Sequence, residues 1–157
     1  MKKEGKWYRK VIVLVVVILL AGEWLFRVQA VTDAIKIDKE EAAICRIEVD
    51  EKADGHLSRS AAEIMEKEDI EALLKRLGES LVRFDGLWLT DIIEYSQEQL
   101  YSIQFYEEDW APASEWIYFV TDGRIYYQNR VYRIQKKDRQ SCMELFAETI
   151  QKYERQK

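Results

Sequence analysis

Histidine occurs once in these 157 residues, proline once, cysteine twice and glycine six times. Each scarcity removes a class of chemistry. A serine or cysteine nucleophile needs a neighbouring base that accepts a proton near neutral pH, usually histidine, and the single candidate, His56, falls in a polar turn after Asp54-Gly55. The glycines form neither a GxSxG elbow nor a phosphate-cradling loop. Zinc asks for three or four closely spaced Cys, His or carboxylate ligands; His56 has only Asp54 beside it, and Cys45 and Cys142 are remote in sequence. No catalytic residue, metal ligand or cofactor is therefore assigned, and the chain is read as a non-enzyme. Paired-carboxylate catalysis is the one chemistry that inventory alone leaves open, because it needs only Asp and Glu. With Pro112 the sole proline and no Gly/Ser-rich run or internal repeat, nothing divides residues 31–157, which read as one domain.

Charge is distributed unevenly. Residues 1–30 hold six basic side chains against two acidic ones, a balance of +4, while the remainder carries 18 basic against 27 acidic, a balance of −9. A body that negative, without a basic run, repels phosphate backbones, so no nucleic-acid partner is expected. Glu- and Lys-rich surfaces of this kind commonly do no more than keep a domain soluble.

The head contains RKVIVLVVVILLAGEW, with no charge from Val11 to Gly22 and five basic side chains before it. An unbroken apolar run lacks the polar face of a surface helix, and preceding cations hold a segment's start in the cytoplasm. Two fates are open. A signal peptide would be cut after Ala30, where Val28-Gln29-Ala30 presents small residues. A retained anchor from Trp7 to Phe26 would meet the roughly 20 residues that a hydrocarbon layer requires, with Trp7, Tyr8 and Trp24 at its boundaries and Arg9 and Lys10 snorkelling. Retention is preferred, since Glu23 to Arg27 would make a bulky, charged peptidase substrate. The expected location is the cell membrane, single-pass with the C-terminal domain outside; secretion after cleavage is the alternative.

In the body, Ala43, Cys45, Ile47 and Val49 alternate with Ile44, Arg46, Glu48 and Asp50, the pattern of a half-buried strand. Ser60 and Glu63 have capping-box spacing, yet Ile64 and Met65 fall off the stripe formed by Ile70, Leu73, Leu74 and Leu77. Residues 61–65 are accordingly read as extended and the helix as starting near Lys67, with Gly78 as its left-handed stop. Strands are expected at Leu100 to Tyr106 and Trp116 to Thr121. Asp122-Gly123 should form a two-residue hairpin turn and Asn129-Arg130 a second reversal into VYRI. Asp138 is the expected N-cap of a last helix whose buried face carries Cys142, Leu145, Phe146, Thr149, Ile150 and Tyr153. The fold class is α+β: an antiparallel four- to five-stranded sheet with two helices on one face, preceded by the transmembrane or signal segment.

One cluster has chemical character. Carboxylates beside aromatic rings can grip a sugar or a cationic peptide, which makes Tyr106, Glu107, Glu108, Asp109, Trp110 and Trp116 the candidate partner or ligand patch. The competing and preferred reading is a plain acidic loop whose aromatics turn back onto the core. Outside the membrane a Cys45–Cys142 disulfide becomes available, but two buried thiols are the preferred reading.

The run TDGRIYYQNRVYRI followed by an amphipathic C-terminal helix, with KEDIEALLKRLGES before it, resembles uncharacterised small membrane-anchored extracytoplasmic modules of Gram-positive bacteria. The resemblance covers the layout of most of residues 43–154 and implies location and class, not activity; this chain lacks a lipobox. The expectation is an anchored, outward protein- or peptide-binding module acting as sensor, regulator or assembly factor. A cell-wall ligand binder or carboxylate hydrolase, and an immunity or inhibitor protein that covers a basic partner, are the alternatives.

Overall fold

The computed structural model describes residues 4–25, 27–38, 40–53, 56–88 and 99–154. In chain order these form α1 (Glu4–Leu25), β1 (Gln29–Ala30), α2 (Val31–Ala34), β2 (Ile44–Ala53), β3 (His56–Ile64), α3 (Lys67–Glu79), β4 (Leu81–Leu87), β5 (Gln99–Tyr106), β6 (Ile117–Val120), β7 (Arg124–Tyr127), β8 (Arg130–Ile134) and α4 (Lys136–Glu154). The eight strands make a single antiparallel sheet in the order β1-β4-β8-β7-β6-β5-β2-β3.

Period-two alternation gives the sheet an inner face, where Cys45, Ile47 and Val49 of β2 join Tyr101, Ile103 and Phe105 of β5 and Ile117 and Phe119 of β6 in one buried cluster. Onto it α3 lays Ile70, Leu73, Leu74 and Leu77, and α4 lays Cys142, Leu145, Phe146, Ile150 and Tyr153. Phe146 is the hub, its ring 4.8 Å from that of Phe119 and 5.3 Å from that of Tyr101. On the outer face a smaller cluster of Leu100, Val120 and Tyr126 lies under Trp88, Tyr118 and Val131. The α+β class, with α3 and α4 on one face of the sheet, stands.

The strand count does not: among the described residues the sheet has eight strands, not four to five. β1 is two residues long and carries no periodicity. The first half of β3 is solvated on both faces, so nothing in its sequence alternates. In β4 a bulge between Phe84 and Gly86 resets the phase. The transmembrane expectation also needs correction, because among the described residues no helix is long and apolar enough to cross a membrane. α1 has 22 residues, but every eighteen-residue window of it takes in at least three of Lys6, Arg9, Lys10 and Glu23. Its charge-free part, Val11 to Gly22, rises only about 18 Å against a hydrocarbon core of about 30 Å.

Local signals shifted as well. α3 starts at Lys67 as expected but runs through Gly78 to Glu79. Gly78 serves a close approach instead: a Cβ there would stand 3.2 Å from Thr32 Oγ1 of α2. Asp138 lies inside α4, and its carboxylate accepts the Leu81 N–H at 3.1 Å, tying α4 to β4. Between β6 and β7 only Gly123 has positive φ, and its N–H closes on Val120 O at 2.8 Å, so three residues make the turn. The next reversal falls on Gln128 and Asn129, both at positive φ, one residue earlier than Asn129-Arg130. Phe146→Ala should cost about 3–5 kcal/mol, read as a fall in the urea midpoint with little change in m-value.

Candidate functional site

The acidic–aromatic run is built as a tight loop at the end of β5. Glu107 N–H donates to Ala111 O at 2.8 Å, Trp110 N–H to Glu107 O at 3.1 Å, and Ala111 N–H to the Asp109 carboxylate at 2.9 Å. Below it Tyr106 bridges to Pro112, and Ser114 Oγ accepts the Phe105 N–H at 3.0 Å. The consequence is a fixed platform. Trp110 is held at φ +66° with 42 % of its surface exposed and its ring 5.5 Å from that of Tyr106. A bulky residue in the left-handed region costs of order 1 kcal/mol and persists only where its surroundings impose it. The aromatic that the sequence reading turned into the core is instead displayed outward.

The ladder between β2 and β5, which pairs Ile44 with Tyr106, brings residues 40–44 beside this loop. Together with the end of β3 and the start of α3 they enclose an open cleft of about 740 Å³. Glu40, Glu41, Glu107, Glu108 and Asp109 face it against one cation, Lys67, while Met65 and Trp110 supply apolar wall. Met65 is 56 % exposed. Sequence reasoning missed Glu40, Glu41, Met65 and Lys67, which come from other elements and carry no local signal.

The cleft does not take in Trp116. That residue lines a separate groove on the outer face with Trp88, Pro112 and Tyr118, so the predicted patch is divided between two places. Tyr106 leans to the outer face as well, its hydroxyl donating to Gln104 Oε1 at 2.6 Å. Burial pushes that phenol above its ordinary range.

A second polar cluster clamps α4 to α3. The Tyr153 hydroxyl donates to Asp69 and, at 3.1 Å, to Glu66, and Lys152 Nζ lies 2.6 Å from Asp69 Oδ2. Hydrogen bonds from Lys152 and Tyr153 hold the Asp69 carboxyl below its usual value, while burial and the two carboxylates raise the Tyr153 phenol. Among the described residues no three His, Cys, Asp or Glu side chains are placed to hold a metal ion. His56 opens β3 and is exposed, and its neighbours Asp54 and Gly55 lie outside the described residues. The chain matches no protein-family model, no curated protein and no solved structure.

Cys45 and Cys142 are both buried free thiols, one on β2 and one on α4. Burial raises both, Cys142 to about 12 even though a Ser80 hydrogen bond opposes the shift. Since the thiolate is the reactive form, neither thiol should react with Ellman's reagent at pH 8 in the folded chain, and both should titrate after unfolding without reductant. A value near zero after unfolding would mean a disulfide.

Proposed function

We propose that the folded domain is an extracytoplasmic protein- or peptide-binding module attached at the membrane surface by α1, whose charge-free part is too short to span the hydrocarbon core by itself, and that its cleft takes a basic segment of the partner. The observation that carries this reading is the meeting of five carboxylates with the displayed Trp110 and Met65 around one concavity. A negative rim steers a cationic segment in. Exposed ion pairs contribute only about 0.2–1 kcal/mol each, so most of the affinity falls to a desolvated anchor on the indole and thioether. Isothermal titration of the full chain in detergent micelles with a Lys/Arg-rich peptide should then give binding that weakens as salt rises. Trp110→Ala should loosen it about tenfold, equivalent to roughly 1.4 kcal/mol. Salt-insensitive binding, or none, would end this reading.

The outer-face groove of Trp88, Trp116, Tyr118 and Pro112, flanked by the amides of Gln104 and Gln128, favours a cell-wall glycan ligand as the second reading. Heat on titration with wall fragments that disappears in Trp116→Ala would select it.

Membrane attachment rests on α1. Every side chain from Ile12 to Leu20 is exposed, leaving a helix apolar all round whose cover is best supplied by lipid, with Arg9, Lys10 and Glu23 at its ends. The pairing of the next residues favours retention of the leader. Gln29 and Ala30 pair with Val82 and Leu81 as β1, and the fully buried Val31 donates its N–H to Ser80 O at 2.9 Å. A cut after Ala30 would strip β1 and place a charged amine at a buried position. Intact mass of the membrane-extracted protein should therefore include residues 1–30; a chain beginning at Val31 would reverse this.

A further inference from the structure

We infer that β3 is a self-recognition edge, on which a second copy of this chain pairs antiparallel about a two-fold axis through Ala61. Among the described residues β3 ends the sheet, next to β2 alone. Ala53 pairs with His56 across a two-residue connection, and the alternation of an antiparallel ladder then turns the backbone N–H and C=O of Leu57, Arg59, Ala61 and Glu63 away from β2. A strand of nine residues with such an edge is a template for another strand.

Side chains select the partner. On the outer face Arg46 stands opposite Glu63, 3.7 Å apart, and Asp50 stands opposite Arg59, which it grips through two hydrogen bonds of 2.5 and 2.9 Å. The sheet edge thus finishes in a guanidinium and a carboxylate four rungs apart, with Ser60, Ala61 and Ala62 between them. Rotation about Ala61 sets Arg59 against Glu63 of the second copy, and each rung becomes Asp50–Arg59–Glu63–Arg46, alternating in sign across both molecules. The same rotation sets Leu57 against Met65 of the second copy. These two are exposed by 61 % and 56 %, Leu57 near the start of β3 and Met65 just past its end.

No neighbouring register does this. An axis at Ser60 leaves Arg59 facing Ala61, and one at Ala62 leaves it facing Met65; an axis between residues would put inner-face against outer-face side chains. The small side chains at the centre let the backbones close, and the arrangement is isologous, so it stops at two copies.

The axis makes one position special, since residue 61 faces itself. Ala61→Cys in the full chain, in detergent micelles under mild oxidation, should shift from monomer to a disulfide-linked dimer on a non-reducing gel. Leu57→Cys should stay monomeric, because in the pair the two copies of residue 57 lie about 27 Å apart along the strands. Leu57→Cys/Met65→Cys should dimerise. An unchanged melting temperature in Ala61→Cys shows that the fold is intact. Failure of Ala61→Cys to link while so folded, equal linking by Leu57→Cys, or linking in native membranes to a protein of different mass instead of to itself would each overturn the inference.

Discussion

The ladder of eight residue pairs between β2 and β5, from Ile44–Tyr106 to Glu51–Gln99, is the contact on which the rest of the molecule leans. Among the described residues it is the only seam between the β2–β3 hairpin and the β5–β8 meander in the sheet order, and it brings Cys45, Ile47, Tyr101, Ile103 and Phe105 onto one surface for the helices to cover. Six consecutive residues of β5 are buried, from Leu100 to Phe105, which is what a strand covered on both faces requires. The same ladder positions the cleft at one end, by laying residues 40–44 beside the loop after Tyr106. At its far flank it carries β3 out to the rim of the sheet.

Several elements that sequence made visible have one face dry and the other wet. β2, α3 and α4 do, because burial writes a period into the residues, whereas β5 shows as a run of apolar and aromatic residues ahead of the Asp122-Gly123 turn. The invisible elements break that condition for separate reasons. Residues 61–65 read as extended, but the first half of β3, His56, Leu57, Ser58 and Arg59, is exposed whichever way it points and stays hidden. β4 loses its phase at the bulge, and β1 is held by two pairs with β4 and has no face of its own. Gly78 and Asp138 looked like helix punctuation because glycine and aspartate are the usual marks. Both are spent on tertiary contacts, with Thr32 and with the Leu81 N–H.

The acidic loop was legible as composition and illegible as geometry. Tyr106 to Trp110 are contiguous and stay together; Trp116, only six residues beyond Trp110, lines the other groove because the chain turns at Pro112 and enters β6. The rest of the cleft wall comes from residues 40–44 and from Met65 and Lys67, brought in by strand pairing that no local window records. Free energy also divides between the two faces of the sheet. Apolar burial dominates inside, whereas outside Arg46, Glu48, Glu63, Asp50 and Arg59 form a connected ion-pair network, which fixes strand register more than it adds stability.

The spacing between α1 and β1 limits how far the domain can travel. α1 ends at Leu25 and β1 begins at Gln29, and a connector that short spans at most about 14 Å when fully stretched. On the proposed attachment, with α1 in lipid, such a leash would confine the domain to the headgroup layer. Its working range would then be a thin sheet of space at the bilayer surface, and whatever it engaged would itself have to come down to that plane.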